Sequence, residues 1–250
     1  MSSLSIFAGS HALQRIRSEG INADQFSIML AAPAGPKWFV LYGLDRYLFG
    51  EFFAGRQREL ITLGSSAGAW RMCCLATKNP VASIERLAKR YSEERYSEQP
   101  TTDEITDKAK EMLADMLGAN GVAEIVHNEV FRTHIIADRA RGIGSSQLKA
   151  ARMLQLMSSA LLNTLSRKTL SLFFERTIFS NMGQMSPWRD VADLKTAIVG
   201  MNEDNLVDAM MASGSIPFVL NGVRDIAGAN QGLYWDGGIT DYHFDFPFPA

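Results

Sequence analysis

The sequence predicts an α/β domain with a mainly parallel central sheet. Two consecutive stretches carry that reading, each running strand, small-residue turn, helix. The first is an apolar run at 26–30, the turn Ala31-Ala32-Pro33-Ala34-Gly35-Pro36 and a helical pattern over 37–53. The second is an apolar run at 60–63, the turn Gly64-Ser65-Ser66-Ala67-Gly68 and an apolar helical run over 69–76. Successive units of this kind lay their strands side by side with helical crossovers. A chain of 250 residues buries about three-quarters of its unfolded surface, and it shows no repeat, low-complexity tract or linker, so one domain over 1–250 is expected.

The elements follow in order. A short helix is expected over 13–19, stopped by Gly20. In the helix over 37–53, Trp38, Leu41, Leu44, Tyr47 and Leu48 recur at helical spacing. Asn79-Pro80 starts a charged helix running to about Tyr96, with Asn as cap and Pro at the first helical position. Thr101 and Glu104 have capping-box spacing and open a helix that ends at Gly118. Residues 131–138 read as a strand. Ser145 or Ser146 caps a helix over 148–165. Residues 170–179 are apolar without a clear period. A strand over 195–199 precedes a helix over 204–212, ended by Ser213-Gly214-Ser215-Ile216-Pro217. Leu233-Tyr234-Trp235 is a strand end leading into Asp236-Gly237-Gly238. The mostly helical stretch over 80–190 is an insertion between two parts of one site, reading as scaffold or as a lid or wall.

The bulk composition excludes several classes. A net charge of −2 from 25 basic and 27 acidic residues, interspersed, gives no patch for nucleic acid and no acidic tail. Cys73 and Cys74 are adjacent in an apolar helix and read as buried, reduced core residues. They favour a reducing compartment. The first ten residues lack the charged and apolar regions of a secretory signal, and no apolar run reaches 18 residues. The chain is therefore expected to be cytoplasmic or peripheral to a membrane. The 12 Met and 14 Phe fill a core or offer an adaptable surface to an apolar ligand.

Gly64-Ser65-Ser66-Ala67-Gly68 is a G-x-S-x-G pentapeptide at a strand-to-helix turn, the setting of a nucleophilic serine. Gly64 and Gly68 let the elbow turn tightly, Ser66 sits at its tip, and the following helix aims its N-terminal N–H groups at the same point. Asp236-Gly237-Gly238 lies at a strand's carboxyl edge, where α/β sheets place their sites, although Asp-Gly also makes ordinary turns. No histidine, cysteine or carboxylate spacing matches a metal site, so neither metal nor cofactor is expected.

Taken with the loop after the first strand, these blocks resemble the patatin-like phospholipases. That resemblance implies a three-layer α/β/α fold and a lipid acyl hydrolase acting on fatty-acyl esters. In it Ser66 matches the nucleophile and Asp236 the aspartate of a Ser–Asp dyad. Gly35 and Lys37 match the last loop glycine and the basic residue of an oxyanion-hole loop, and Ala212-Ser213-Gly214-Ser215-Ile216-Pro217 matches a small-residue segment before the aspartate. Pro33 and Pro36 have no N–H to donate, which leaves Ala34, Gly35, Lys37 and Ala67 as oxyanion donors. Trp38, Phe39 and residues 170–179 are candidates for an acyl groove or a contact with a membrane surface, and core packing explains them equally well.

Two other functions fit the same residues. One is an α/β-hydrolase esterase with a Ser66–His243–Asp236 triad in the chain order serine, aspartate, histidine. The other is a non-catalytic relative that binds lipid or a partner. The oligomeric state is not legible. The chain stops 14 residues after Asp236 in an apolar Phe-Pro-rich run, and a C-terminal truncation is expected.

Overall fold

A computed structural model describes residues 6–145, 148–246 and 248. The two expected strand–turn–helix units are present. β1 (Ile28–Ala31) and β2 (Leu60–Ser65) pair in parallel, and β2 pairs in parallel with β3 (Phe131–Ala140). β4 (Phe174–Ser180) runs antiparallel to β3 and parallel to β5 (Thr196–Gly200), giving the order β1-β2-β3-β4-β5. β6 (Val223–Arg224) pairs with β7 (Leu233–Asp236), and β7 pairs antiparallel with β3. The sheet is mixed and mostly parallel by register.

Alternation along the strands creates two buried faces. Ile135, Ala137, Phe179 and Tyr234 point to one face, against α3 (Ala67–Leu75) and α9 (Leu206–Ser213), with α4 (Pro80–Glu93) and α5 (Thr102–Leu117) packed outside. Leu63, Ile136 and Ile178 point to the other, against Trp188, Phe244 and Phe246. Farther along that second face, Ala140 and Trp235 meet Leu156 of α7 (Lys149–Asn163). The architecture is α/β in three layers, α/β/α. Cys73 and Cys74 are fully buried and unpaired in α3, where burial raises both thiols, Cys74 to about 12.

Several elements depart from the sequence pattern for physical reasons. α1 (Ser10–Glu19) begins earlier than expected. The single helix expected over 37–53 is three short pieces: a 3₁₀ stretch Gly35–Leu41, α2 (Tyr42–Tyr47) and a π turn Leu48–Phe52. The pitch changes where Gly50 meets Val81, so closely that a Cβ would lie 2.6 Å from a Val81 methyl. The capping box at Thr101 is half made. Thr101 accepts the Glu104 N–H at 3.1 Å, but the Glu104 carboxylate reaches out to the Ser97 amide and hydroxyl instead. α6 (Gly121–Val126) was not legible as a separate helix.

α7 begins at Lys149 with Leu148 in the cap position. Ser145 ends a 3₁₀ turn, Gly142–Ser145, and Ser146 lies outside the described residues. The ambiguous stretch 170–179 splits into α8 (Leu170–Phe173) and β4, whose residues are all buried. Residues 174–179 are therefore core, and Trp38 is core as well, stacked on Phe39 at 4.7 Å. Neither is an acyl-groove wall.

Candidate active site

Two strands meet head to head to form the site. β2 and β7 occupy the same edge of β3 from opposite directions. β2 ends at Ser65, paired with Ile136, and β7 ends at Asp236, paired with the next residue, Ala137. The residue following β2 and the last residue of β7 are thus forced together, although 170 positions separate them in the chain. Ser66 Oγ donates to Asp236 Oδ2 at 2.6 Å, with both residues buried.

The elbow holds Ser66 in a strained backbone, φ 55 and ψ −133, which non-glycine residues rarely adopt. Close packing around it leaves no room for side chains at either glycine. A Cβ on Gly64 would lie 2.5 Å from Ala69 Cα, and one on Gly68 would lie 1.9 Å from the Ala31 carbonyl oxygen of β1. Gly68→Ala is therefore expected to cost about 3 kcal/mol of stability, the upper end for overpacking, because the clash is with backbone. A urea unfolding midpoint measures it.

The end of α9 fastens both partners. Ser213 Oγ accepts the Ser66 amide at 2.9 Å, and the Ser215 carbonyl accepts the Asp236 amide at 2.9 Å. Gly238 N–H donates to Asp236 Oδ1 at 2.7 Å, which leaves Oδ2 for the serine. A Cβ on Gly237 would meet the Ile136 carbonyl at 2.4 Å, and one on Gly238 would meet Asp236 Oδ1 and the Pro33 ring. The proline loop thus packs against the Asp-Gly-Gly turn. Burial raises the Asp236 carboxyl, and the bonds from Ser66 and Gly238 offset part of that, for a value of about 6.

Behind this turn lies a charged network that the sequence did not reveal. Arg176 of β4 donates to Asp241 at 2.5 Å and to both oxygens of Asp193, at 2.9 and 2.7 Å. Arg167 joins Asp241 at 2.7 Å and also bonds the Thr240 carbonyl. Asp138 of β3 accepts from the Thr240 amide and hydroxyl, at 2.9 and 2.7 Å. Burial, with Asp241 beside it, pushes Asp138 well above the usual carboxylate range. A second buried pair, Arg71 of α3 on Asp45 of α2 with two bonds of 2.6 Å, ties the elbow helix to the helix after the proline loop. The one sequence cue to the first network was Asp241, five positions after Asp236; Ser213 lay in the small-residue segment but had no role assigned.

Ser66 opens into a cavity of about 310 Å³. Gly35, Pro36 and Ala67 line it beside the serine, and Trp70, Met112 and Leu220 are among its apolar walls. α4 and α5 supply part of those walls, so the helical insertion is scaffold and wall at once. Gly35 makes the loop turn with φ +49. One expected donor is spent: the Lys37 N–H bonds the Ala34 carbonyl at 3.2 Å inside the 3₁₀ turn. Ala34, Gly35 and Ala67 remain.

The histidine of the triad reading is elsewhere. His243 is exposed and stacks on Tyr242 at 4.9 Å, while Ser66 and Asp236 bond each other directly with no ring between them. His134 is buried in β3, lowered by burial to about 4, and bonds the Thr62 and Arg132 carbonyls. His127 is on the surface with Glu203 at 2.9 Å, and His11 lies in α1. Among the described residues no helix is long and apolar enough to cross a membrane. A family model described as patatin-like phospholipase matches residues 52–244. No curated protein and no solved structure matches the chain.

Proposed function

The chain belongs to the patatin-like phospholipase family, and from that premise we propose that it is a lipid acyl hydrolase working through a Ser66–Asp236 dyad within one domain. The 2.6 Å bond from Ser66 Oγ to a buried Asp236 carboxylate is the observation that carries the proposal. An aspartate at its ordinary pKa near 4 is a poor base at neutral pH. Burial that lifts it to about 6 brings it close to working pH while keeping it ionised there.

The reaction then runs in two halves. Ser66 Oγ attacks the ester carbonyl as its proton passes to Asp236 Oδ2, and the carbonyl oxygen becomes an oxyanion. Amides of Ala34, Gly35 and Ala67 are the donors proposed for that oxyanion. Collapse expels the alcohol, which takes the proton from Asp236 and leaves an acyl-Ser66. Water repeats the sequence with Asp236 as base and releases the fatty acid. The apolar cavity walls suit an acyl chain, and glycerophospholipids or simpler fatty-acyl esters are the substrate class.

A fluorophosphonate probe tests the reading directly. It should label the protein at Ser66, and Ser66→Ala should remove the label. The same protein should release fatty acid from phospholipid vesicles or from soluble esters. Its kcat/KM should fall about tenfold per pH unit below pH 6, as Asp236 protonates and can no longer accept the serine proton. A folded protein that neither labels nor releases fatty acid would sink the proposal.

A further inference from the structure

α7 turns most of its apolar side chains outward. Its inward face holds Leu156 against Ala140 and Trp235, and beside it two polar residues: Gln155 accepts the Gly144 N–H at 2.6 Å and donates to the Phe173 carbonyl at 2.8 Å, and Ser159 is buried. Its outward face carries Met153, Leu154, Met157 and Leu161, 47, 59, 64 and 69 % exposed. These fall on one stripe of about 100° of helix, opposite Gln155 and Ser159. Leu165, just beyond the helix, is 80 % exposed and extends the apolar run. An apolar stripe of this length contributes nothing to the folded core while it faces water, so it has another use.

Charge decides what covers it. From Arg139 to Phe174 the chain has six basic residues and no acidic one. Arg139 and Arg167 are engaged with carboxylates from other segments, and Arg152 lies over the Trp235 ring. Lys149 at the start of α7 and Lys168 after its end are exposed and form no ion pair among the described residues. A second copy docking through this same face would bring cation onto cation, whereas a layer of lipid phosphates supplies the opposite charge at both ends of the stripe.

The helix also adjoins the site, through the side opposite the stripe. Arg152, Gln155 and Leu156 of α7 share a crevice with Pro217 and Phe218, while the neighbouring Ile216, Val219 and Leu220 line the Ser66 cavity. Ile216, Phe218 and Val219 are themselves substantially exposed. We propose that the α7 stripe, flanked by Lys149 and Lys168, docks the protein on an anionic phospholipid surface, on the helix next to the segment that lines the Ser66 cavity. This deepens the lipid hydrolase reading and rests on it.

Vesicle flotation tests the proposal with phosphatidylglycerol and phosphatidylcholine vesicles. The protein should float with the first, more weakly with the second, and lose the difference in high salt. The triple variant Leu154→Ser, Met157→Ser, Leu161→Ser changes only exposed side chains, so its fold should hold. It should bind phosphatidylglycerol vesicles at least ~10-fold more weakly, as should Lys149→Glu with Lys168→Glu, on the ~1 kcal/mol that each basic residue gains near such a surface. Hydrolysis of a soluble short-chain ester should stay the same in both variants, while hydrolysis of vesicle lipid falls. Vesicle binding unchanged by the triple variant overturns the docking face, as does a wild-type dimer that the triple variant dissolves. Normal vesicle binding without hydrolysis of any ester would overturn the hydrolase reading and leave the docking face standing.

Discussion

Asp236→Asn is expected to lower kcat on a soluble fatty-acyl ester by at least ~10⁴-fold, the scale seen when a catalytic group of a serine hydrolase is neutralised in place. The amide is the size of the carboxylate and still accepts the Gly238 N–H. It has no capacity to take the Ser66 proton. Fold and stability should survive, because burial already disfavours the charged form of Asp236. His243→Ala is the matched control. That ring is exposed and touches neither Ser66 nor Asp236, so the rate should stay within about twofold of wild type. Stopped-assay kinetics on both variants, with circular dichroism to verify folding, gives the answer. A large loss in His243→Ala with a mild one in Asp236→Asn would replace the dyad with a triad.

What the sequence disclosed about this site follows the range of the interactions that build it. The elbow is local: strand, Gly64, Ser66, Gly68 and helix lie within about twenty residues, and each has a stereochemical signature that survives without tertiary context. The fold class followed from two such units for the same reason. The meeting of β7 with β2 is not local. It depends on a β3 long enough to pair with β2 along one half and β7 along the next, which no pattern in any single segment encodes. Asp236 was found through its glycines and the family resemblance; Arg176, Asp193 and Asp138 were not, because a single charged residue in a strand or loop gives no sign of its partners.

Helix interiors show the same divide. The spacing over 37–53 was helical, but the segment is a 3₁₀ stretch, a short α-helix and a π turn, and in the π turn Gly50 lies hard against Val81. A helix over 148–165 was expected, yet the side it turns inward carries Gln155, which bonds the backbone of Gly144 and Phe173. Hydrophobic periodicity reports that a helix has two faces. It assigns the apolar one to the core only by default.

Arg176→Met is expected to cost about 3–5 kcal/mol of stability, the usual price of removing one partner from a buried ion pair. Methionine occupies the volume under the Phe246 ring that the guanidinium now covers at 4.6 Å, so the loss is chiefly electrostatic. Asp241 keeps Arg167 and the Thr240 hydroxyl, and Asp193 loses its two-pronged partner. The pH dependence separates this from a simple packing defect. Burial raises Asp193, but the bonds and charge of Arg176 outweigh it and hold that carboxyl below its ordinary value. A lowered carboxyl stabilises the fold above its unfolded pKa near 4 and stops doing so as pH falls through the folded value. The gap between wild type and Arg176→Met should therefore be widest near neutrality and narrow below pH 4, in urea unfolding followed across pH. Arg176→Lys retains the charge without the fork that reaches both aspartates, and should recover only part of the loss. Because Thr240 and Asp241 continue the turn that begins at Asp236, the Arg176→Met protein that remains folded should also turn over more slowly, with kcat falling more than KM changes. An unchanged kcat would mean that the network supports the fold and leaves the position of Asp236 to Gly238 and Ser215.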